Sequence, residues 1–144
     1  MSGRRIVVVL IGLLLLAGSR PAAAQELRPL LQRVASAWHR GDVGSISALC
    51  ARGGVSLDVD GRSVGPLAPR QTAAVLRRLF DDRESVGARV NTIREVGGEP
   101  TRAFGEITWS TRARGTTIPE HATIFVALVR EDDGWRVTEI RLLR

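Results

Sequence analysis

Tyrosine and lysine are absent from this chain of 144 residues, histidine occurs twice and cysteine once. Each shortage excludes something. Without tyrosine no phenolic hydroxyl is available to any site. A single cysteine, Cys50, rules out an internal disulfide, so stability must come from packing. Cys50 sits in the apolar run ISALC with no histidine or cationic cluster beside it in sequence, which reads as a small buried hydrophobe and not a reactive thiol. His39 and His121 lie too far apart for zinc-ligand spacing, so no metal is expected. No glycine-rich phosphate loop, Ser-His-Asp order or paired-carboxylate motif is visible, Gly97-Gly98 reads as a turn, and no cofactor is expected. The absence of lysine makes every basic residue an arginine, a compositional bias without functional content.

What is present begins at the N-terminus. Arg4 and Arg5 precede an unbroken apolar run from Ile6 to Ala17, which is followed by the small-residue stretch PAAA. The run falls short of the roughly 20 residues a membrane-spanning helix needs, and the order is that of an export signal. Cleavage is expected between Ala24 and Gln25, giving a signal peptide over 1–24, one domain over 25–144, and an exported protein, periplasmic or released. Arg4, Arg5 and Arg20 leave with the leader, so 18 arginines face 15 acids and the net charge falls from +6 to +3. Acids and arginines alternate, as in RVNTIREVGGEPTRAFGE, and no basic stripe suits nucleic acid.

Apolar spacing predicts an amphipathic helix from Glu26 to His39, with Pro29 in its first turn and Leu27, Leu30, Leu31, Val34 and Trp38 on one face. Gly41 stops it, and Asp42 caps a shorter helix through Ala51. VSLDVDG alternates as a half-buried strand with a turn at Asp60-Gly61 and a return strand over Arg62 to Val64. Pro69 opens a third helix to Asp82, with Thr72, Val75, Leu76, Leu79 and Phe80 on one face. Strands are expected over Val86 to Val96, Ala103 to Ala113, His121 to Arg130 and Trp135 to Leu143. Their short loops make them consecutive and antiparallel. The fold class is α+β: three N-terminal helices on a curved, mainly antiparallel sheet.

That order, with AWHRGDVGSISALC at the first helix junction, RQTAAVLRRLF in the third helix, and AFGEITW and GWRVTEIRLL in the strands, resembles the nuclear transport factor 2-like superfamily. Within it the pattern looks like an exported bacterial domain of unknown function. The resemblance implies a cone-shaped α+β barrel enclosing an apolar pocket, and a sheet face that serves as a homodimer surface. QRVASAWHRGD and LCARGGVSLD are similar to stretches of the ketosteroid isomerase branch, whose mechanism needs a carboxylate base and two oxyanion donors. Asp58 falls at the base position. Val34 stands where that branch has tyrosine, and Phe125 or Val126 where it has an acid, so isomerase chemistry by that route is not expected.

Asp58, His39 and His121 are the candidate catalytic residues, each with a plainer alternative. Asp58 shares the polar face of its strand with Ser56 and Asp60, His39 ends a helix, and His121 starts a strand beside Glu120. Val34, Trp38, Phe80 and Trp109 are read as core, or as the wall of a ligand pocket, two readings that overlap in a cone. The expectation is an exported module of the cell envelope that binds a small apolar ligand or an envelope protein without catalysis of its own. The alternative is a small isomerase, dehydratase or hydrolase pairing Asp58 with a histidine.

Overall fold

An apolar stripe at helical spacing sets the first element of the computed structural model, which describes residues 22–144. The leader expected over 1–24 lies outside the described residues except for its last three, which open α1 (Ala22–Arg40). Leu27, Leu30, Leu31, Val34 and Trp38 are each at most 4% exposed along α1, as their spacing requires. Pro29 lies inside the helix and not in its first turn, so α1 goes without the bond that a prolyl nitrogen cannot donate. Gly41, at φ +64°, ends α1: its N–H reaches the Trp38 carbonyl at 3.0 Å, and the Asp42 N–H reaches that of Ala37 at 2.8 Å.

Asp42 then caps α2 (Val43–Ala48), accepting from the Ser45 N–H at 3.0 Å and from its hydroxyl at 2.6 Å. The helix was expected to run to Ala51. It stops at Ala48 because the next residues bridge to the last strand: Val137 N–H donates to the Leu49 carbonyl, and Ala51 N–H to the Val137 carbonyl.

Strands β1 (Val55–Val59) and β2 (Arg62–Leu67) form the hairpin, with positive φ at both Asp60 and Gly61. Helix α3 (Pro69–Asp82) follows with Thr72, Leu76 and Phe80 buried. Then come β3 (Arg83–Gly97), β4 (Arg102–Ala113), β5 (Glu120–Glu131) and β6 (Gly134–Leu143). Sheet order is β2-β1-β6-β5-β4-β3. Every pairing is antiparallel except β1 with β6, a parallel contact that joins the hairpin to the meander. Its register sets Leu57 beside Ile140 and Asp58 beside Arg141. The sheet stays open, with β2 and β3 as its edges, and three register shifts interrupt the ladder of β3 with β4. The result is an α+β cone: helices on the concave face, and among the described residues no helix over the outer face.

Candidate functional site

Strand alternation and helical spacing converge on a cluster of rings inside the cone. Trp38 from α1, Phe80 from α3 and Trp109 from β4 meet edge to face, with centroids 5.2, 5.7 and 6.1 Å apart. Val34, Trp38 and Trp109 are fully buried and Phe80 is nearly so. The first three line none of the four cavities described below, and Phe80 lines one. The rings pack against one another at contact distance in the core.

One group there is unmatched. The buried indole N–H of Trp38 has no hydrogen-bond partner among the described residues, whereas that of Trp109 donates to Ser85 Oγ at 2.9 Å. Ser85 Oγ also lies 3.0 Å from His39 Nδ1, so Trp109, Ser85 and His39 form a chain from the core to the surface. The indole can only donate. Ser85 Oγ accepts from it, and its second lone pair and its own hydrogen leave either role open to His39 Nδ1, while Nε2 of His39 is not engaged by Ser85.

The chain surfaces in a cavity of about 360 Å³ where the ends of α1 and α3 meet the start of β3. Phe80 and Val43 supply its apolar surface, and Arg40, Arg77, Arg83 and Arg114 supply charge. Arg114 is fixed there by the Asp81 carbonyl at 2.6 Å and the Phe80 carbonyl at 3.1 Å, capping the C-terminus of α3.

The sequence candidates for proton transfer are not brought together. Asp58 accepts from Ser63 Oγ at 2.8 Å across the β1–β2 hairpin, His39 meets Ser85, and His121 Nδ1 meets Ser110 Oγ at 3.1 Å across β4 and β5. Both histidines are exposed and Asp58 is half-buried. No histidine is hydrogen-bonded to Asp58 among the described residues, and Asp58 lines none of these cavities. The serine partners were not read from the sequence, since nothing in local spacing links residues up to 46 positions apart.

Two more cavities flank the helices. One of about 480 Å³ lies where α1 meets the β5–β6 turn, with Glu26 bonded to Arg130 at 2.5 Å, Asp133 to Arg136 at 2.6 Å, and Arg130 lying over Trp135. A smaller one of about 300 Å³ lies between α1 and α2, lined by Arg33, Ser36, Arg40, Ser45, Ala48 and Leu49.

The fourth, about 510 Å³, is a groove on the outer face of the sheet. Phe104 and Phe125 pack at 5.4 Å between centroids, flanked by Ala127, Val129 and Val96, and Arg141 lies 6.0 Å above the Phe125 ring. These apolar residues alternate with the core residues of β4 and β5, so both faces of the middle strands are apolar here. The signal was in the sequence: ATIFVALV carries Phe125, Ala127 and Val129 at outward positions where a water-facing strand would be polar, and AFGEITW adds Phe104. It was read only as strand.

No protein-family model matches the chain, and no curated protein matches it in sequence. Solved structures do match in three dimensions. A DUF4783 family protein from Bacteroides ovatus superimposes with a TM-score of 0.63 at 20% identity, over 76% of this chain and 90% of that one. An NTF2-like protein with a cystatin-like fold from Novosphingobium aromaticivorans gives 0.61 at 18%, over 84% and 80%. A hypothetical protein of ketosteroid isomerase-like fold from Catenulispora acidiphila, in complex with trimethylamine, gives 0.63 at 14%, over 80% and 84%. Identities this low speak for architecture alone, and the architecture agrees: this chain has the nuclear transport factor 2-like, cystatin-like α+β cone fold.

Proposed function

We propose that this chain is an exported, non-catalytic binding module of the cell envelope that associates through the outer face of its sheet, with a second copy of itself as the partner. The observation that carries the reading is the groove around Phe104 and Phe125. Val96, at its edge, is 65% exposed, and Leu143 farther along β6 is 51% exposed. Among the described residues no helix lies over this face, and apolar area of this kind is stabilised by a partner that covers it. Arg102, Arg141 and Glu139 border the same groove, so one face carries both signs of charge. A two-fold axis placed between the two signs sets Arg102 or Arg141 of one copy against Glu139 of the other, which suits an isologous pair. The export half of the proposal rests on the leader sequence.

The rival reading, an acid–base enzyme built on Asp58, needs a histidine or a shared water at that carboxylate. Asp58 instead satisfies itself with Ser63, and His39 and His121 bond to serines of their own.

Sedimentation equilibrium on residues 25–144 tests the proposal. The wild type should sediment as a dimer, and Phe125→Asp as a monomer with an unchanged far-ultraviolet spectrum. A wild type that stays monomeric as concentration is raised overturns the self-association.

A further inference from the structure

We propose that the cavity between α1, α3 and the start of β3 binds a small organic monoanion, a carboxylate with an apolar body. This site lies at the opposite end of β3 from Val96 and the outer groove, and does not depend on the self-association above.

Charge is the first reason. Arg40 pairs with Asp42 at 3.7 Å, Arg83 with Glu120 at 2.7 Å, and Glu84 with Arg112 at 2.7 Å. Counting the lining residues together with these partners gives five guanidinium groups against four carboxylates, one positive charge in excess. Arg77 makes no ion pair or hydrogen bond among the described residues, although it shares the cavity with Asp81 one helical turn away. Arg114 spends its Nε and one terminal nitrogen on the carbonyls of Phe80 and Asp81, which fixes it in place, and it makes no ion pair among the described residues, although its charge reaches Glu84. By contrast, the cavity at the β5–β6 turn pairs Glu26 with Arg130 and Asp133 with Arg136 across its own lining.

The second reason is donors. His39 lines the cavity with Nδ1 on Ser85, so its other ring nitrogen, Nε2, is the one left for a ligand and donates to it as the Nε2–H tautomer. A carboxylate suits one guanidinium and one imidazole N–H, since it carries one charge and two acceptor oxygens. The third reason is the apolar surface. Phe80, on the edge of the ring cluster, and Val43 face the same space, so the ligand carries an apolar body beside its charge. Its volume, about 360 Å³, falls in the range of small-molecule sites, roughly 300–1,000 Å³.

Benzoate is the probe, titrated into residues 25–144 by calorimetry and followed by the NMR signal of the Trp109 indole N–H. Benzamide and inorganic phosphate are the comparison arms. Benzoate should bind and move the Trp109 signal, benzamide should bind at least about tenfold more weakly, and Arg77→Gln should lose about tenfold in benzoate affinity. Asp81→Asn, which removes the opposing carboxylate, should tighten binding. Arg28→Gln, on α1 away from this cavity, serves as the control and should change nothing. All three variants are at exposed helix positions, so loss of the fold does not confuse the result. The proposal is overturned if benzoate and benzamide bind alike, if neither binds, or if Arg77→Gln and Arg28→Gln behave the same. Phosphate binding through Arg77 without benzoate binding overturns the organic carboxylate as the ligand class.

Discussion

Gly105 of β4 lies directly against Leu31 of α1: a Cβ placed on Gly105 would fall 2.5 Å from Leu31 Cδ1 and 2.8 Å from Cδ2. Leu31 is fully buried, so its end cannot swing into solvent to make room. This contact sets how closely α1 approaches the sheet. Gly105→Ala should destabilise the domain by about 1–3 kcal/mol through overpacking, and Leu31→Ala by about 2–5 kcal/mol through the cavity it leaves. The combined variant should cost less than the sum, because each change relieves the other. Urea denaturation of the four proteins closes the cycle; strict additivity would mean that the helix is not seated on this glycine.

The two tryptophans of the ring cluster should respond unequally to the same change. Trp38 carries a buried N–H without a partner, whereas the N–H of Trp109 is bonded to Ser85. Replacing Trp38 by Phe removes an unsatisfied donor, worth about 1–3 kcal/mol, and so offsets part of the lost ring contact. Trp109→Phe loses both ring contact and hydrogen bond. Trp38→Phe should therefore be the milder of the two, and Trp38→Ala should cost about 3–5 kcal/mol. Chemical denaturation with equal m-values gives the ordering, and the reverse order would show that the Trp38 N–H is satisfied in solution.

The pattern of the sequence carried the elements and missed what joins them. α3 and the four meander strands lie within about three residues of where periodicity and glycine or proline breaks place them, because those signals are local. The parallel pairing of β1 with β6 brings residues such as Leu57 and Ile140 together across most of the chain, and nothing local encodes it. The same limit governs the site. Helical spacing puts Trp38 on the inward face of α1, and Trp38 and Trp109, read as core, are both buried, but inward positions of a filled cone and of a hollow one read alike in sequence. The link from His39 to Ser85 depends on how the end of α1 meets the start of β3, a tertiary fact. Asp58, sharing its strand's polar face, found only a neighbour across a tight turn.

Cys50 should be chemically silent in the folded protein. Burial without a cationic neighbour pushes its thiol up to about 11, and Sγ lies 3.4 Å from the Ile46 carbonyl. Only the thiolate attacks, so at pH 8 almost none of the reactive form is present and access is blocked as well. A disulfide-exchange reagent should label Cys50 slowly in buffer and promptly in urea. Labelling at the rate of a free thiol in the native state would place Cys50 at the surface.

Acid should weaken the fold through carboxylates that arginines and a serine hold ionised. Arg112 makes two bonds to Glu84, at 2.7 and 2.9 Å, and these hold the Glu84 carboxyl below its ordinary value. The Arg83 hydrogen bond does the same to Glu120, the Ser45 bonds to Asp42, and the Arg136 bond to Asp133. A depressed carboxyl contributes its full stabilisation above its unfolded value, near 4.5 for glutamate and 3.8 for aspartate. It loses that contribution as pH falls through the lower folded value, because the unfolded chain takes up the proton first. The urea midpoint should therefore hold steady near pH 6 and drop by about pH 3, and Glu84→Gln with Glu120→Gln should flatten the drop. Glu84, Glu120 and Asp133 are exposed and Asp42 is half-buried, so added salt should flatten it too. A midpoint that rises on acidification, or a slope that the two substitutions leave untouched, would show that the Arg112 and Arg83 pairs do not hold these carboxylates in solution.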